Sequence, residues 1–346
     1  MSNITTIGLD LAKSVFQVHG ADRDGHPVLR KKLRRGQVLD FFSKLPPCQV
    51  GMEACASAHH WARELQGMGH DVRLIPPHYV KPFVKTNKND AADAEAICEA
   101  VARPNMRFVP VKNAEQQCVL SIHRARAGFV KARTAQANQI RGLLGEYGIV
   151  LVQGISHLRR GIPEILEDGE RDLPALFRQL LLRLYQHLRE LDSQVEELEM
   201  QIKAWHRDNE DSRRLAKIPG VGALTATALV ASIGEAKNFK NGRQLAAWLG
   251  LVPRQHSSGG KTRLQGISKR GDVYLRTLII HGARAANRVA RPQRSATDAW
   301  TTDMGTRRPK NVVVVARANK NARIAWALLA HQRHYDAAYQ PAKQAA

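Results

Sequence analysis

The stretch Ile7-Gly8-Leu9-Asp10-Leu11 decides the fold prediction, because it places one carboxylate inside a short apolar run, Ile4–Leu11. A run of this length, rich in apolar and β-branched residues, predicts a core β-strand. Val15–His19 continues the pattern, Asp22-Arg23-Asp24-Gly25 has the composition of a turn, and Val28-Leu29 lies in a third short strand. Consecutive strands joined by short turns predict a three-stranded meander.

The residues downstream alternate between helix and strand signals. Helical patterns cover Gly36–Ser43 and the region near His59–Met68, and a third helix is expected at about Asn89–Val101. Apolar runs at Val50–Met52 and Asp71–Ile75 predict further strands. A meander followed by alternating strands and helices predicts an α/β domain built on a mixed sheet.

Composition and charge bound the class of protein. The chain has 346 residues, 43% of them hydrophobic and 24% charged, which excludes disordered, collagen-like and disulfide-scaffold classes. Lys and Arg number 53 against 31 Asp and Glu, and the net charge of +22 favours nucleic acid as the partner. An anionic membrane is the rival partner, but no basic amphipathic helix dominates. No apolar stretch approaches ~20 residues and Met1–Lys13 lacks signal-peptide regions, so we expect no membrane association and a cytoplasmic location.

The rest of the chain predicts two long helices and a second globular unit. Ala114–Tyr147 is helical, and Leu173–Trp205 repeats apolar residues at the spacing of a coiled coil. Gly, Pro and charge cluster at Gly161–Asp172, and polar residues at Arg207–Arg214, which predicts boundaries there. We therefore predict an α/β domain at 1–112 with helix 113–147 attached, a coiled-coil segment at 148–210, a mostly helical domain at 211–335 and a tail at 336–346. The predicted coiled-coil positions are Leu180, Leu184, Leu188, Leu191, Val195, Leu198 and Ile202.

Four carboxylates occupy positions that could bring them to one edge of the predicted sheet. Asp10 interrupts one apolar strand, Glu53 ends another, and Asp90 and Asp93 share one helix face. Singly, Asp90 could cap the helix, Asp93 could favour its dipole, and Asp10 could lie in a turn. Together they would repel one another unless divalent cations lay between them. Two Mg²⁺ ions ~3.5–4 Å apart would serve phosphoryl transfer on DNA.

A basic segment rich in Gly and Ser, Gln255–Lys269, predicts a flexible loop in the last domain. One explanation is an anion-binding loop, in which glycines let the backbone approach phosphate and cations neutralise it. The other makes a serine the nucleophile toward a phosphodiester, which requires a base or a metal to take its proton. His256 could assist that transfer or contact phosphate. The cations expected to bind nucleic acid are Arg254, Lys261, Arg263, Lys269, Arg270 and Arg276.

The four carboxylates resemble the catalytic set of the DEDD insertion-sequence transposases, which include the pilin-gene inversion recombinase and the bridge-RNA-guided recombinases. The strings Gly8-Leu9-Asp10, Gly51-Met52-Glu53 and Asn89-Asp90-Ala91-Ala92-Asp93 carry this part of the resemblance. It implies that the four acids hold Mg²⁺ in a ribonuclease-H-like domain similar to the Holliday-junction resolvase RuvC. A middle coiled coil and a C-terminal transposase domain are implied to follow.

The C-terminal part of the resemblance rests on Ser258-Gly259, Ile267-Ser268-Lys269-Arg270-Gly271 and Leu275-Arg276, which match the family's Ser-Gly, Ile-x-Lys-x-Gly and Leu-Arg motif. It implies that Ser258 attacks DNA to form a covalent 5′-phosphoserine, with Ser257 as the neighbouring alternative. It also implies at least a homodimer and, for strand exchange, a dimer of dimers in which the acids of one protomer act with the serine of another. The implied partners are donor and target DNA and a structured non-coding bridge RNA, in the bacterial nucleoid.

Two other functions stay open alongside a DNA recombinase of an insertion sequence. A hydrolytic RuvC-like nuclease would cut DNA with metal-activated water and would form no protein–DNA adduct. A non-catalytic nucleic-acid-binding protein would need only the positive charge. It would leave unexplained why Asp10 and Glu53 lie in core strands, where an unpaired carboxylate is expensive.

Overall fold

The computed structural model describes residues 3–85, 89–170 and 172–339, which belong to two compact units, Met1–Glu115 and Gln116–Ala346. The helix predicted at 113–147 lies almost wholly in the second unit, whereas the sequence attached it to the first. The boundaries at 148 and 211 stay predictions, and the predicted tail is described only as far as residue 339. Within the described ranges, no helix is long and apolar enough to cross a membrane.

The first unit is built on a five-stranded mixed sheet, as the sequence predicted. Its strands are β1 (Thr6–Asp10), β2 (Val15–Ala21), β3 (Pro27–Arg34), β4 (Gln49–Glu53) and β5 (Asp71–Ile75). They follow the order β3-β2-β1-β4-β5, with antiparallel pairing in the β1–β2–β3 meander and parallel pairing of β1 with β4 and β4 with β5. This arrangement is consistent with the ribonuclease-H-like fold that the resemblance implies.

Helices cover both faces of this sheet. They are α1 (Val38–Ser43), α2 (Ala58–Gly67), the short α3 (Pro77–Val80) and α4 (Asp90–Val101). On one face, Leu9 and Met52 are buried in one core with Phe42 of α1 and Trp61 of α2. Because side chains alternate along a strand, Gly8 lies on the opposite face, and there α4 packs against the sheet.

The second unit is mostly helical. Its elements are α5 (Ala114–Gly145), α6 (Ile155–Glu167), α7 (Ala175–Asp208), α8 (Glu210–Leu215), α9 (Ala223–Ile233), α10 (Gly242–Trp248), β6 (Pro253–Ser258), β7 (Lys261–Ile267), α11 (Val273–Arg288), α12 (Ala296–Gly305) and α13 (Lys310–Ala330). Buried residues of α9, α10, α11 and α13, among them Leu229, Leu245, Ile279 and Ala322, form its largest core.

The predicted coiled-coil positions match the structure best from the middle of α7 onward. Leu188, Leu191 and Val195 are buried there, but Leu180 is 42% exposed and its neighbour Leu181 is buried instead. α7 packs on α6 and α9 of the same unit, so most of this apolar stripe faces its own chain. Pairing between two copies through α7 stays a prediction.

The boundary predicted at Gly161–Asp172 is wrong in its first half, because α6 runs through it to Glu167. Gly161 is required for packing, since a Cβ atom there would lie 2.7 Å from Leu151 Cδ2. Pro163 cannot donate the helical hydrogen bond to the carbonyl of Arg159. The hydroxyl of Tyr185 on α7 donates to that carbonyl instead, at 3.2 Å, so the neighbouring helix compensates for the proline.

Candidate acidic metal centre and serine hairpin

Two glycines let α4 lie directly on the sheet beside the acidic residues. Gly8 of β1 and Gly51 of β4 are paired neighbours in the sheet. A Cβ atom at Gly8 would lie 2.1 Å from the carbonyl oxygen of Ala94, and one at Gly51 would lie 2.7 Å from Val101 Cβ. These glycines therefore set how closely α4 approaches Asp10. This packing role was not predicted from the sequence. A signal was available, since in each of the two apolar strands a glycine stands two residues before the acid.

Three of the four predicted acids converge at the N-terminal end of α4. Asp10 ends β1, and Asp90 and Asp93 lie in the first turn of α4. One carboxylate oxygen from each lies within 4.8 Å of one from each of the others. Glu53 ends β4, which is hydrogen-bonded to β1, and its charge acts on Asp10. The fold thus brings residues from two strands and a helix to one edge of the sheet.

The cap of α4 leaves both of its aspartates available to this cluster. Asn89 is the N-cap residue, and its side-chain oxygen accepts a hydrogen bond from the backbone N–H of Ala92 at 2.8 Å. The ordinary explanation of Asp90 as the cap is therefore wrong. Asp10 is likewise the last residue of a strand and not a turn residue.

The negative charges of the acidic residues repel one another. The pKa of Asp10 is raised from 3.8 to about 6, first by burial and then by the negative charges of Asp93, Asp90 and Glu53. Carboxylate oxygens are hard donors that suit divalent cations such as Mg²⁺, and a cation among them would offset the repulsion. The residues present therefore fit a divalent metal centre.

The predicted flexible loop is a two-stranded hairpin formed by β6 and β7. Gly259 and Gly260 make the turn, with φ angles of +54° and +75°. A type I′ turn, one of the two-residue hairpin turns that match the twist of the strands, requires positive φ at both positions, which glycine adopts without strain. The Gly-Gly pair was the sequence signal for this turn. The hairpin was not predicted because both strands are polar and exposed, so they show no apolar alternation.

The hairpin register gathers cations on the face that carries Ser258. Ser258 pairs with Lys261, and His256 pairs with Arg263. Directly paired residues, and residues two apart on one strand, point to the same face of a sheet. A hydroxyl, an imidazole and two permanent cations therefore share one exposed face.

Ser257 lies on the other face of the hairpin. Its Oγ accepts a hydrogen bond from the side-chain amide of Gln255 at 2.8 Å. In the part of the chain that the structure describes, the hydroxyl of Ser258 makes no hydrogen bond. The geometry therefore favours Ser258 over Ser257 as a group that can meet a phosphate among cations.

Five of the six predicted nucleic-acid-binding cations are exposed, and Arg276 is the exception. Arg276 is buried, and its Nη1 donates to the carbonyl oxygens of Leu249 and Gly271, each at 3.4 Å. A guanidinium held against backbone carbonyls inside the fold stabilises the start of α11, and the predicted contact of Arg276 with nucleic acid stays a prediction. The exposed cations are Arg254, Lys261, Arg263, Lys269 and Arg270.

Several known proteins similar to this chain are transposases. Residues 7–149 match a DEDD transposase model of the IS110 type, and residues 212–298 match the model described as "Transposase IS116/IS110/IS902 family". The chain is 54% identical over 334 residues to a "Probable family 20 transposase" of Pseudomonas aeruginosa, covering 96% of this chain and 99% of that one.

Two further relatives match nearly as much of the chain. It is 44% identical to the transposase for insertion sequence element IS1328 of Yersinia enterocolitica, over 94% of this chain and 97% of that one. It is 45% identical to the transposase for insertion sequence element IS1111A of Coxiella burnetii, over 97% and 92%. The chain therefore belongs to the IS110/IS116/IS902 family of DEDD insertion-sequence transposases and is a DNA recombinase.

Proposed function

We propose that this transposase cuts and rejoins DNA through a covalent phosphoserine at Ser258, assisted by Mg²⁺ at Asp10, Glu53, Asp90 and Asp93. The observation that carries the proposal is the convergence of three carboxylates, within 4.8 Å of one another, from two distant parts of the chain. Asp10, Asp90 and Asp93 form no ion pair with the described residues, and three carboxylates this close together are unfavourable without a cation.

The serine step conserves the energy of the DNA backbone. The Oγ of Ser258 attacks phosphorus, the new Oγ–P bond replaces the bond from phosphorus to the 3′ oxygen, and the serine proton ends on the released 3′-OH. The reverse attack by a 3′-OH of another strand restores the phosphodiester and frees the serine. No nucleotide cofactor is needed, because each step exchanges one phosphodiester for another.

The cations on the Ser258 face act on the phosphate. Lys261 and Arg263 offset the charge that develops on the phosphoryl oxygens, and His256 on the same face is placed to hold phosphate or to move the serine proton. Mg²⁺, when bound, supplies Lewis-acid stabilisation of the reacting phosphate. The acids hold that ion.

We also propose the partners that the resemblance implies. The net charge of +22 supports simultaneous binding of donor DNA, target DNA and a structured guide RNA in the nucleoid. Strand exchange needs more than one nucleophile, which supports a homodimer or a dimer of dimers as the active form.

Trapping the adduct tests the serine. Wild-type protein, Ser258→Ala and Ser257→Ala are incubated with Mg²⁺, the RNA that copurifies with the wild type, and labelled DNA that carries an end of the element. Protein-linked label after denaturation should appear with wild type and Ser257→Ala but not with Ser258→Ala, which should still bind DNA.

Two outcomes would contradict the proposal. Adduct formation by Ser258→Ala but not by Ser257→Ala would assign the nucleophile to Ser257. Cleaved DNA without any protein-linked strand from the wild type would favour hydrolysis by water. In either case Asp10→Asn should abolish cleavage if the acids hold the metal.

A further inference from the structure

The face of the sheet that carries Asp10 continues across two more strands. Asp10 of β1 pairs with Gln17 of β2, and Gln17 pairs with Lys32 of β3. Directly paired residues point to the same face, so the three side chains form one row across the meander. The backbones of Asp10 and Lys32 are two strand spacings apart, roughly 10 Å.

The helix that covers this face packs on the row beside it. The neighbouring row consists of Gly8, His19 and Arg30, and α4 packs over it. Arg30 forms an ion pair with Glu95 of α4 at 3.4 Å. In the row of Asp10, the first turn of α4 lies beside Asp10 itself, whereas Gln17 is half-buried and Lys32 is exposed.

The cations of β3 differ in what they already contact. On the opposite face, Lys31 lies over the ring of Phe41 and the adjoining Arg35 lies over the ring of Trp61. Lys32, by contrast, forms neither an ion pair nor a ring contact within the described ranges.

Arg34 extends the row of Lys32 along β3. It is two residues further on, so it points to the same face of the sheet, and it is also exposed. Like Lys32, it has no ion pair or ring contact among the residues that the structure describes. Two uncompensated cations and one amide therefore border the acidic cluster on its own face of the sheet.

We propose that Gln17, Lys32 and Arg34 form a phosphate-binding subsite for the DNA strand being cut, next to the phosphate held at the acids. This inference rests on the proposed function. A cluster of carboxylates repels the backbone of DNA, and neighbouring cations offset that repulsion. An amide and an ammonium are both donors that contact phosphate oxygens without reading sequence. The separation of roughly 10 Å from Asp10 places Lys32 at a neighbouring phosphate and not at the reacting one.

Charges on an edge strand also discourage pairing between sheets of different molecules. Charges on either face of β3 would serve that role equally. A subsite for DNA requires charges only on the face that carries Asp10. Lys31 is therefore a matched control for Lys32, because it is the adjacent residue, with the same charge, on the opposite face.

The experiment compares Lys32→Ala with Lys31→Ala in the full-length protein. Affinity for a fluorescein-labelled DNA duplex is measured by anisotropy across a salt series without Mg²⁺, so that no turnover occurs. Lys32→Ala should weaken binding about ten-fold, as expected for loss of a charge-assisted hydrogen bond. It should also reduce the salt slope by about 1, whereas Lys31→Ala should change both by much less. Equal effects of the two substitutions would overturn the proposal.

Site-specific photocrosslinking gives a second measurement, because a protein this basic also binds DNA non-specifically. Benzoylphenylalanine at position 32 should crosslink to the labelled DNA, and at position 31 it should not. Equal yields at the two positions would also overturn the proposal, as would crosslinking to an RNA of the same sequence in preference to DNA. Strand cleavage by the wild type and Asp10→Asn tests the proposed function separately, since neither binding readout depends on catalysis.

Discussion

Replacing Gly8 with alanine tests whether the approach of α4 to β1 determines the acidic centre. The new Cβ would lie 2.1 Å from the carbonyl oxygen of Ala94 and 2.5 Å from the backbone nitrogen of Cys98. Ordinary contacts lie at about 3.5 Å, so α4 must retreat by more than about 1 Å. Backbone atoms cannot rotate away as a side chain can. The strain should cost about 1–3 kcal/mol of stability.

The larger effect is expected on activity. Asp90 and Asp93 move with α4, and a displacement of about 1 Å at a reacting centre can cost ~10²-fold in rate. DNA cleavage and recombination are measured at a temperature where circular dichroism shows the variant to be folded. Gly67→Ala is the matched control, because Gly67 is exposed, has no neighbour within 4 Å of the added atom and lies at the end of α2. Wild-type activity in Gly8→Ala, or equal losses in the two variants, would refute the reasoning.

Mg²⁺ should raise the melting temperature of the wild type, since a ligand at ten times its dissociation constant stabilises by about 1.4 kcal/mol. Asp10→Asn should abolish that increase in differential scanning calorimetry, and an unchanged increase would place the ion elsewhere. Burial lowers the pKa of His123 from 6.5 to about 4; its ring lies 2.9 Å from the hydroxyls of both Thr227 and Tyr274. Between these two pKa values, the unfolded chain binds a proton at this histidine that the folded chain does not bind. The contribution of His123 to the free energy of unfolding should therefore be complete above pH 6.5. The free energy of unfolding should fall by about 3 kcal/mol as the pH drops to 4. Urea unfolding should show this loss in the wild type and a smaller one in His123→Gln; equal profiles would contradict it.

Local patterns predicted much of the first unit. The apolar runs around Leu9, Val50 and Val72 became strands of the sheet, and the helix predicted from Asn89 begins at Asp90. Each of these signals is short-range, because burial of one face imposes a period on consecutive residues. The acids Asp10 and Glu53 were recognised for the same reason, as charges within otherwise apolar strands.

The sequence was least informative where a residue's environment is made by distant segments. Gly161 and Pro163 have the composition of a boundary, but Leu151 packs on the glycine and Tyr185 satisfies the carbonyl freed by the proline. Arg276 stands in a basic motif, yet the fold buries it against carbonyls. Such compensation is invisible in composition, because it depends on side chains that another element supplies.

The amino-acid sequence alone determined that this chain carries an α/β unit followed by helices, with four acids and a serine in chemically suggestive positions. Only tertiary structure decided which of these groups meet. The closeness of Asp10 to Asp93 depends on helix α4 resting on Gly8, and the faces of Ser258 and Lys32 depend on strand register. The physical reason is that periodicity reports which side of an element is buried, whereas catalytic distances depend on how closely separate elements pack.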